Sequence, residues 1–346
     1  MQTQVIHILM TGAGAPGAPG ILKCLAREPL IRVTTADAAV QVSGRYLSDT
    51  FIQIPSAADP VFAERLLELC KTHQIDVLLP LVTRELLPLA KHHDLFRESG
   101  IRIPLSPVAS LEIANNKARL YEFLEWRGIE VPAYRVVETT TQFIQAARDL
   151  GYPGKPICFK PAVSNGSRGF RIIDGKLDER DILFNQKPTA AYTRLEEAER
   201  ILTGGTIPEL LVSEFLPGEE YSVDCLANKG EAVLILPRLR KRMVNGITVE
   251  GEFIREEAII HYCSRIIHEL KLHGNIGIQV KKSDQGKFLI LEINPRVQGG
   301  ISTALGAGVN LPLLAIWQEV GLPAQPEDLV VKWGTRFIRY WEDVFF

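Results

Sequence analysis

The sequence predicts a mixed architecture: α/β with a parallel sheet over the first hundred residues, and α+β with mainly antiparallel strands beyond them. Three observations carry this. Up to about residue 105, short apolar runs alternate with helix-period segments. In the second half, apolar runs are joined by the short polar turns NKGE (228–231) and SDQG (283–286), which read as hairpins. The 346 residues allow two or three domains at about 150 residues each.

Taken in order, VIHILM (5–10) reads as a buried strand, GILKCLARE (20–28) as a helix and IRVTTAD (31–37) as a second strand. VFAERLLELCKTH (61–73) is a second helix and IDVLLPLV (75–82) a third strand. Strand–helix–strand alternation at this spacing makes a parallel sheet with right-handed crossovers. Pro104 and Pro107 in IRIPLSP mark the end of that domain. A helix follows over 110–128, closed by Gly128 just past its end. The stretch 131–173 is strand-rich and holds a Gly/Ser loop, and 174–208 reads as irregular connections with one helix, LEEAERIL. From 209 onward the signals are the strands ELLVSEFL, YSVDCLA, AVLILP, GIQVKK and KFLILEI, interrupted by the helix EEAIIHYCSRIIHELK.

Composition narrows the function classes. Hydrophobic residues at 46% and charged residues at 23% exclude a disordered, collagen-like or coiled-coil chain. Lys plus Arg is 39 against 41 for Asp plus Glu, so the net charge is −2, and no global field draws the chain to nucleic acid or an anionic membrane. MQTQVIHILM lacks the charged n-region of a signal peptide, and no apolar run approaches the roughly 20 residues of a membrane span. The expectation is a cytoplasmic protein without nucleic-acid or membrane partners. Five scattered cysteines without a C-x-x-C pair read as reduced thiols, and seven histidines without ligand spacing argue against zinc.

TGAGAPGAPG (11–20) places Gly12, Gly14 and Gly17 in G-x-G-x-x-G spacing between a strand and a helix, with Asp37 ending the next strand. That is the context of a dinucleotide fingerprint. Pro16 and Pro19, however, remove two N–H donors that would cradle a pyrophosphate. A tight turn whose glycines permit close packing is therefore the favoured reading over an NAD oxidoreductase.

Three pieces of the second half carry chemistry. ICFKPAVSNGSRGF (157–170) puts Lys160 at a strand end before a loop with Ser164, Gly166, Ser167 and Gly169. Backbone N–H groups and a lysine suit phosphate oxygens; a lysine snorkelling into solvent is the alternative on this loop alone. LLVSEFLPGEEYSVD (210–224) joins two strands through a Pro-Gly break. Main-chain groups of Glu214 and Leu216, flanking Phe215, could read adenine, and Glu220 could accept from ribose hydroxyls; an exposed acidic turn is the alternative. In NIGIQVKKSDQGKFLILEINPR (275–296), period-2 alternation puts Glu292 and Asn294 on one strand face. A two-residue turn at Gln285-Gly286 sets Gln279 opposite Glu292. Three oxygen donors would then converge on a patch suited to Mg²⁺, with Arg296 placed for a transferring phosphoryl group.

These pieces in this order resemble the ATP-grasp superfamily, most nearly its carbamoyl-phosphate-synthase-like branch, over nearly the whole chain. The resemblance implies an N-terminal Rossmann-like domain (1–105), a small nucleotide lobe (106–212) and a large catalytic lobe (213–346) that clamp ATP. NNKARLYEFLEWRGIEVPAY (115–134) resembles the family's helix carrying a nucleotide lysine, here Lys117. Lys160 and the GSRG loop match its second lysine and phosphate lid. EFLPGEEYSVD matches the hinge with Glu220 on the ribose. EINPRVQGGISTALGAGVNLP matches the end of the site, with Glu292 and Asn294 as metal ligands and Arg296 on the phosphates. Gln279 stands where many members have Asp or Glu, which weakens charge compensation and leaves a second Mg²⁺ open; Mn²⁺ is a substitute ion. One such constellation and no amidotransferase motif exclude a full two-site carbamoyl phosphate synthetase.

The implied activity is phosphorylation of a small carboxylate by ATP, followed by attack of an amine on the acyl phosphate. Lys160 and Arg296 are the catalytic candidates. Arg238 or Arg240 in PRLRKRMVNG (237–246) would reach the triphosphate or the substrate carboxylate, a solvated charged strand being the alternative; Gln298, Gly299 and Gly300 would shape the acceptor pocket. A carbamoyl- or acyl-phosphate-forming enzyme and a non-catalytic ATP-binding subunit are the other readings, and a homodimer is left open.

Overall fold

The computed structural model describes residues 5–164, 166, 168–185, 191–244, 246–322 and 324–346. The chain divides into two compact units: Met1–Asn115 with Glu219–Val280 and Leu291–Phe346, and Asn116–Gly218 with Lys281–Ile290.

The first unit opens with a four-stranded sheet of β1 (Ile6–Thr11), β2 (Ile31–Asp37), β3 (Thr50–Gln53) and β4 (Val77–Leu79) in the order β3-β2-β1-β4. All its pairings are parallel, as the alternation requires. β1 is buried at five of its six positions, as expected of a parallel strand covered on both faces. Helices α1 (Ala18–Leu25), α2 (Phe62–Thr72), α3 (Thr83–Lys91) and α4 (His93–Glu98) follow. Strand β3 and helices α3 and α4 were not legible as separate elements, and the strand expected over 75–82 is only Val77–Leu79.

The helix expected over 110–128 is two helices, α5 (Val108–Ala114) and α6 (Lys117–Trp126). Asn116 makes the break: its side-chain oxygen accepts from the N–H groups of Ala118 (2.9 Å) and Arg119 (3.1 Å) and so caps a new helix start. Lys117 is thereby the first helical residue.

The second unit's sheet contains β5 (Tyr134–Val137), β6 (Ile157–Pro161), β7 (Arg171–Ile173), β8 (Tyr192–Thr193) and β9 (Leu210–Glu214) in the order β5-β9-β6-β7-β8. Helices α7 (Thr140–Asp149), α8 (Glu179–Asn185) and α9 (Leu195–Thr203) lie between these strands in sequence. Helix α7 interrupts the stretch expected to be strand-rich; a capping box of Thr139 and Gln142 starts it. Val137, Phe143, Ile157, Ile173 and Val212 centre this unit's core.

The large antiparallel sheet is β10 (Glu220–Asn228), β11 (Glu231–Val244), β12 (Ile247–Phe253), β13 (Gly274–Lys282), β14 (Phe288–Asn294) and β15 (Arg336–Ile338), ordered β14-β13-β10-β11-β12-β15. Helices α10 (Glu257–Glu269) and α11 (Leu311–Glu319) complete the chain. Strand β11 continues through the basic segment, paired to β10 and β12. In the first unit, Ile8, Met10 and Ile21 share one core with Leu226, Leu236, Phe253 and Ile316, so the parallel and antiparallel sheets are parts of a single packed body.

Candidate functional site

The turn between β13 and β14 differs from expectation. The Ser283 N–H donates to the Lys287 carbonyl (2.8 Å) and the Gly286 N–H to the Ser283 carbonyl (3.1 Å). The loop is therefore three residues, with Gly286 at φ +80°, a left-handed position that glycine takes without strain. A three-residue loop moves the pairing at the turn by one step, so the direct opposition of Gln279 and Glu292 drawn from a two-residue turn does not follow.

Glu292, Asn294 and Arg296 do come together. The Asn294 amide donates to Glu292 Oε1 (3.3 Å), and Arg296 Nη2 donates to Asn294 Oδ1 (3.4 Å). Arg296 is anchored at its other edge, with Nε on Thr83 Oγ1 (2.9 Å) and Nη1 on the Val297 carbonyl (2.8 Å). Burial lowers its pKa, against the pull of Glu292 and Glu85. Glu85 is 5% exposed and accepts from Thr11 Oγ1 at 2.5 Å; burial raises its carboxyl to about 7, opposed by the Thr11 and Val82 hydrogen bonds. Thr83 and Glu85 were not anticipated from the sequence. Their signal is the polar T-R-E that follows the apolar run ending β4 and starts α3.

The basic segment is solvated only at its far end: the Arg238 and Arg240 side chains are buried, whereas Lys241, Arg242, Met243 and Val244 are exposed. Arg238 is buried against Asp224 (3.0 Å), whose other oxygen accepts from Gln298 Nε2 (3.1 Å). Arg240 pairs with Glu220, donates to Thr248 Oγ1 (3.0 Å), and has a pKa lowered by burial against the opposing Glu220 charge. Lys241 pairs with Glu252 (2.5 Å) and Arg242 with Glu250 (3.5 Å). Gly300 and Gly277 sit beside this network. A Cβ on Gly300 would lie 2.5 Å from Arg238 Nη2, and one on Gly277 would lie 2.0 Å from Gln298 Cδ.

The N-terminal glycine loop is filled by the chain itself. Asp37 accepts from the Gly14 and Ala39 N–H groups (2.8 and 2.9 Å), using both oxygens. A Cβ on Gly17 would lie 2.5 Å from Gly299 Cα. The glycines serve close packing, as expected.

In the second unit, Lys117 is 5% exposed, with its N–H on the Ala162 carbonyl (2.8 Å) and its Nζ on the Ser164 carbonyl (2.7 Å). The capped start of α6 and the loop after β6 are thus tied together through one lysine. Lys160 Nζ lies 6.0 Å from the Tyr121 ring centroid, and Lys281 Nζ lies 4.6 Å from that of Phe215. Gly166 and Gly169 have φ +64° and +77°, and a Cβ on Gly169 would meet Pro161 Cδ at 2.6 Å. Ser167 lies outside the described residues. At the hinge, the side chain and N–H of Glu214 engage the N–H and carbonyl of Ala133 (2.8 and 2.9 Å), and Leu216 is buried.

Residues 206–337 match the family described as ATP-grasp in the biosynthetic pathway with Ter operon, and residues 8–104 match the PylC-like N-terminal domain. The chain carries an ATP-grasp domain. Among sequence relatives, the carbamoyl phosphate synthase large chain of Thermoplasma acidophilum is 24% identical over 293 residues, 77% of this chain and 24% of that one. The arginine-specific large chain of Halalkalibacterium halodurans is 23% identical over 292 residues, 80% of this chain and 25% of that one. The chain thus spans about a quarter of the length of these relatives. Among solved structures, N5-carboxyaminoimidazole synthetase from Staphylococcus aureus complexed with ADP has a TM-score of 0.68 at 16% identity, covering 94% of this chain and 79% of that one. L-amino acid ligase from Bacillus licheniformis has a TM-score of 0.63 at 16% identity, covering 94% and 77%. These likenesses show the ATP-grasp fold behind an N-terminal parallel sheet. Among the described residues no helix is long and apolar enough to cross a membrane.

Proposed function

We propose that this chain is an ATP-dependent carboxylate–amine ligase acting in the cytoplasm. It joins a small carboxylate to an amine and releases ADP and phosphate. The observation that carries the reading is the series Glu292–Asn294–Arg296 at the end of β14, with Arg296 held by Thr83. We keep with it the three-domain division at 105 and 212.

Lys117 and Lys160 contact phosphates, and the loop carrying Ser164, Gly166, Ser167 and Gly169 covers them. Main-chain groups at Glu214, Phe215 and Leu216 meet the adenine, and Glu220, paired with Arg240, accepts from the ribose. Glu292 and Asn294 offer one carboxylate and one amide oxygen, and among the described residues no group of three His, Cys, Asp or Glu forms a cage. A donor set with a single negative charge fits a Mg²⁺ that completes its shell with phosphate oxygens and water; Gln279 is a third candidate ligand and Mn²⁺ a candidate substitute. Such an ion, when bound, neutralises charge on the transferring phosphoryl group.

The reaction has two steps. A substrate carboxylate oxygen attacks the γ-phosphorus and ADP departs. The amine nitrogen then attacks the acyl carbon, phosphate leaves with that oxygen, and the amine proton is released. Arg296, delocalised and partly desolvated, stabilises negative charge on the phosphoryl oxygens as the bond to ADP breaks. The Thr83 and Val297 contacts fix its direction, so little ordering is required at the moment of transfer.

A second reading, formation of a carbamoyl or other acyl phosphate from bicarbonate, is favoured by the sequence relatives' names. ADP release across a panel of acids and amines separates the two. The ligase needs a matched pair, whereas the second reading gives turnover with bicarbonate and no organic acid. In either case Glu292→Ala should cut ADP release at least a hundredfold with the fold intact by circular dichroism; an unchanged rate would remove the metal assignment.

A further inference from the structure

Strand β15 lies at one end of the six-stranded sheet, paired to β12 on one side and, among the described residues, to no strand on the other. Its ladder to β12 runs through alternate residues. The Phe253 N–H donates to the Thr335 carbonyl (2.9 Å) and the Arg339 N–H to the Val249 carbonyl (2.7 Å), with Phe337 opposite Gly251 between them. The main-chain groups of Arg336, Ile338 and Tyr340 therefore point away from β12. Among the described residues nothing meets their N–H or C=O groups.

The side chains along this open edge are bare. Phe337 packs on the core and Arg339 reaches the Gly299 carbonyl (3.0 Å), so period-2 alternation turns Arg336, Ile338 and Tyr340 to the other face. Ile338 is 71% exposed, and Tyr340, Trp341, Phe345 and Phe346 are each exposed by three-quarters or more. An open edge is ordinarily blunted by a proline, a bulge or a covering segment. β15 has no proline and pairs without a register shift. The residues after it are held elsewhere in the first unit, Glu342 on Lys23 (3.2 Å) and the Phe346 ring stacked on Tyr46 (4.1 Å between centroids).

The edge is complementary to itself. Laid antiparallel against a second β15 about Ile338, Ile338 faces its own copy and Arg336 faces Tyr340 on either side. These are the residues whose main-chain groups point outward, so each facing pair exchanges both of its hydrogen bonds. An apolar residue meets itself and a guanidinium meets a phenol ring. Arg339 falls opposite Phe337, so no like charges face each other. Four exposed aromatic side chains, at about 150–250 Å² each, reach the area of about 800 Å² per partner that a stable interface buries. We propose that β15 is a homodimerisation edge: two copies of this chain pair through Arg336, Ile338 and Tyr340 about a two-fold axis at Ile338, and their six-stranded sheets become one.

The test uses the full chain. Size exclusion with light scattering at micromolar concentrations should give twice the chain mass. Ile338→Pro removes an N–H that β12 does not use, and Ile338→Lys sets two ammonium groups face to face. Each should weaken the dimer by on the order of a hundredfold, with circular dichroism unchanged. Ile338→Glu should also be monomeric alone, and mixing it with Ile338→Lys should restore a dimer holding one of each. Hydrogen exchange reads the edge without any variant: the Ile338 and Tyr340 amides should exchange about tenfold or more slowly in the dimer than after dilution to monomer. A wild type that stays monomeric overturns the proposal. So does a dimer that persists in both the proline and the lysine variant, a Lys–Glu mixture that stays monomeric, or edge amides whose exchange ignores concentration. A different protein seated on this edge in place of a second copy overturns it as well.

Discussion

Glu85 is the residue whose chemistry is most out of place. A carboxyl buried beside Thr11 has its pKa moved by burial from an ordinary 4.5 to about 7. Between those values the folded chain keeps a proton on Glu85 that the unfolded chain has released. Stability should therefore fall as pH rises through that window, by on the order of 3 kcal/mol. Glu85→Gln keeps the shape and removes the titration. Denaturant unfolding at pH 5 and pH 8 should show the wild type losing stability relative to the variant over that interval; parallel curves would mean the carboxyl is ionised in both states. Arg238 is the second such residue. Arg238→Met leaves Asp224 buried without its cation and should cost about 3–5 kcal/mol, seen as a lower urea midpoint. A midpoint unchanged from wild type would mean that water reaches Asp224.

At the scale of elements, legibility followed local chemistry. Strand β1 was readable because a strand covered on both faces is mostly apolar, here Ile6, Ile8, Leu9 and Met10, and the β13–β14 hairpin because its turn carries Gly286. The break between α5 and α6 was hidden because the apolar helical period continues across it and only the cap of Asn116 interrupts the ladder. Removing that cap tests the assignment. Asn116→Ala should destabilise the chain by about 1 kcal/mol and, by releasing the first turn of α6, weaken ATP binding several-fold through Lys117. An unaltered affinity would detach Lys117 from the nucleotide. Register was harder to read than existence. A three-residue loop in place of a two-residue one was enough to remove the predicted Gln279–Glu292 opposition. The basic segment of β11 was legible as charged, yet its partners Asp224, Glu220, Glu252 and Glu250 come from paired strands that composition does not reveal.

For the whole molecule, the parallel sheet and the antiparallel sheet share one core, through Ile8, Met10 and Ile21 with Leu226, Leu236 and Phe253. That shared core explains why an arginine at the end of β14 can be held by a threonine at the start of α3, 213 residues earlier in the chain. The N-terminal domain is in this sense part of the proposed catalytic apparatus, which its own glycine loop does not suggest. Distant polar anchors of this kind, such as Thr83 on Arg296, are set by tertiary packing and leave no periodic mark in a sequence. The near-zero net charge of −2 is consistent with local pairing of charge, as Arg238 with Asp224 and Arg240 with Glu220.

The central claim is that a carboxylate oxygen attacks the γ-phosphorus of ATP. The most direct measurement uses the acid that supports ADP release, labelled with ¹⁸O in its carboxyl group, and mass analysis of the phosphate formed with the amine present. An acyl phosphate intermediate predicts one ¹⁸O in each phosphate released, in step with ADP; unlabelled phosphate, or AMP with pyrophosphate, would contradict it.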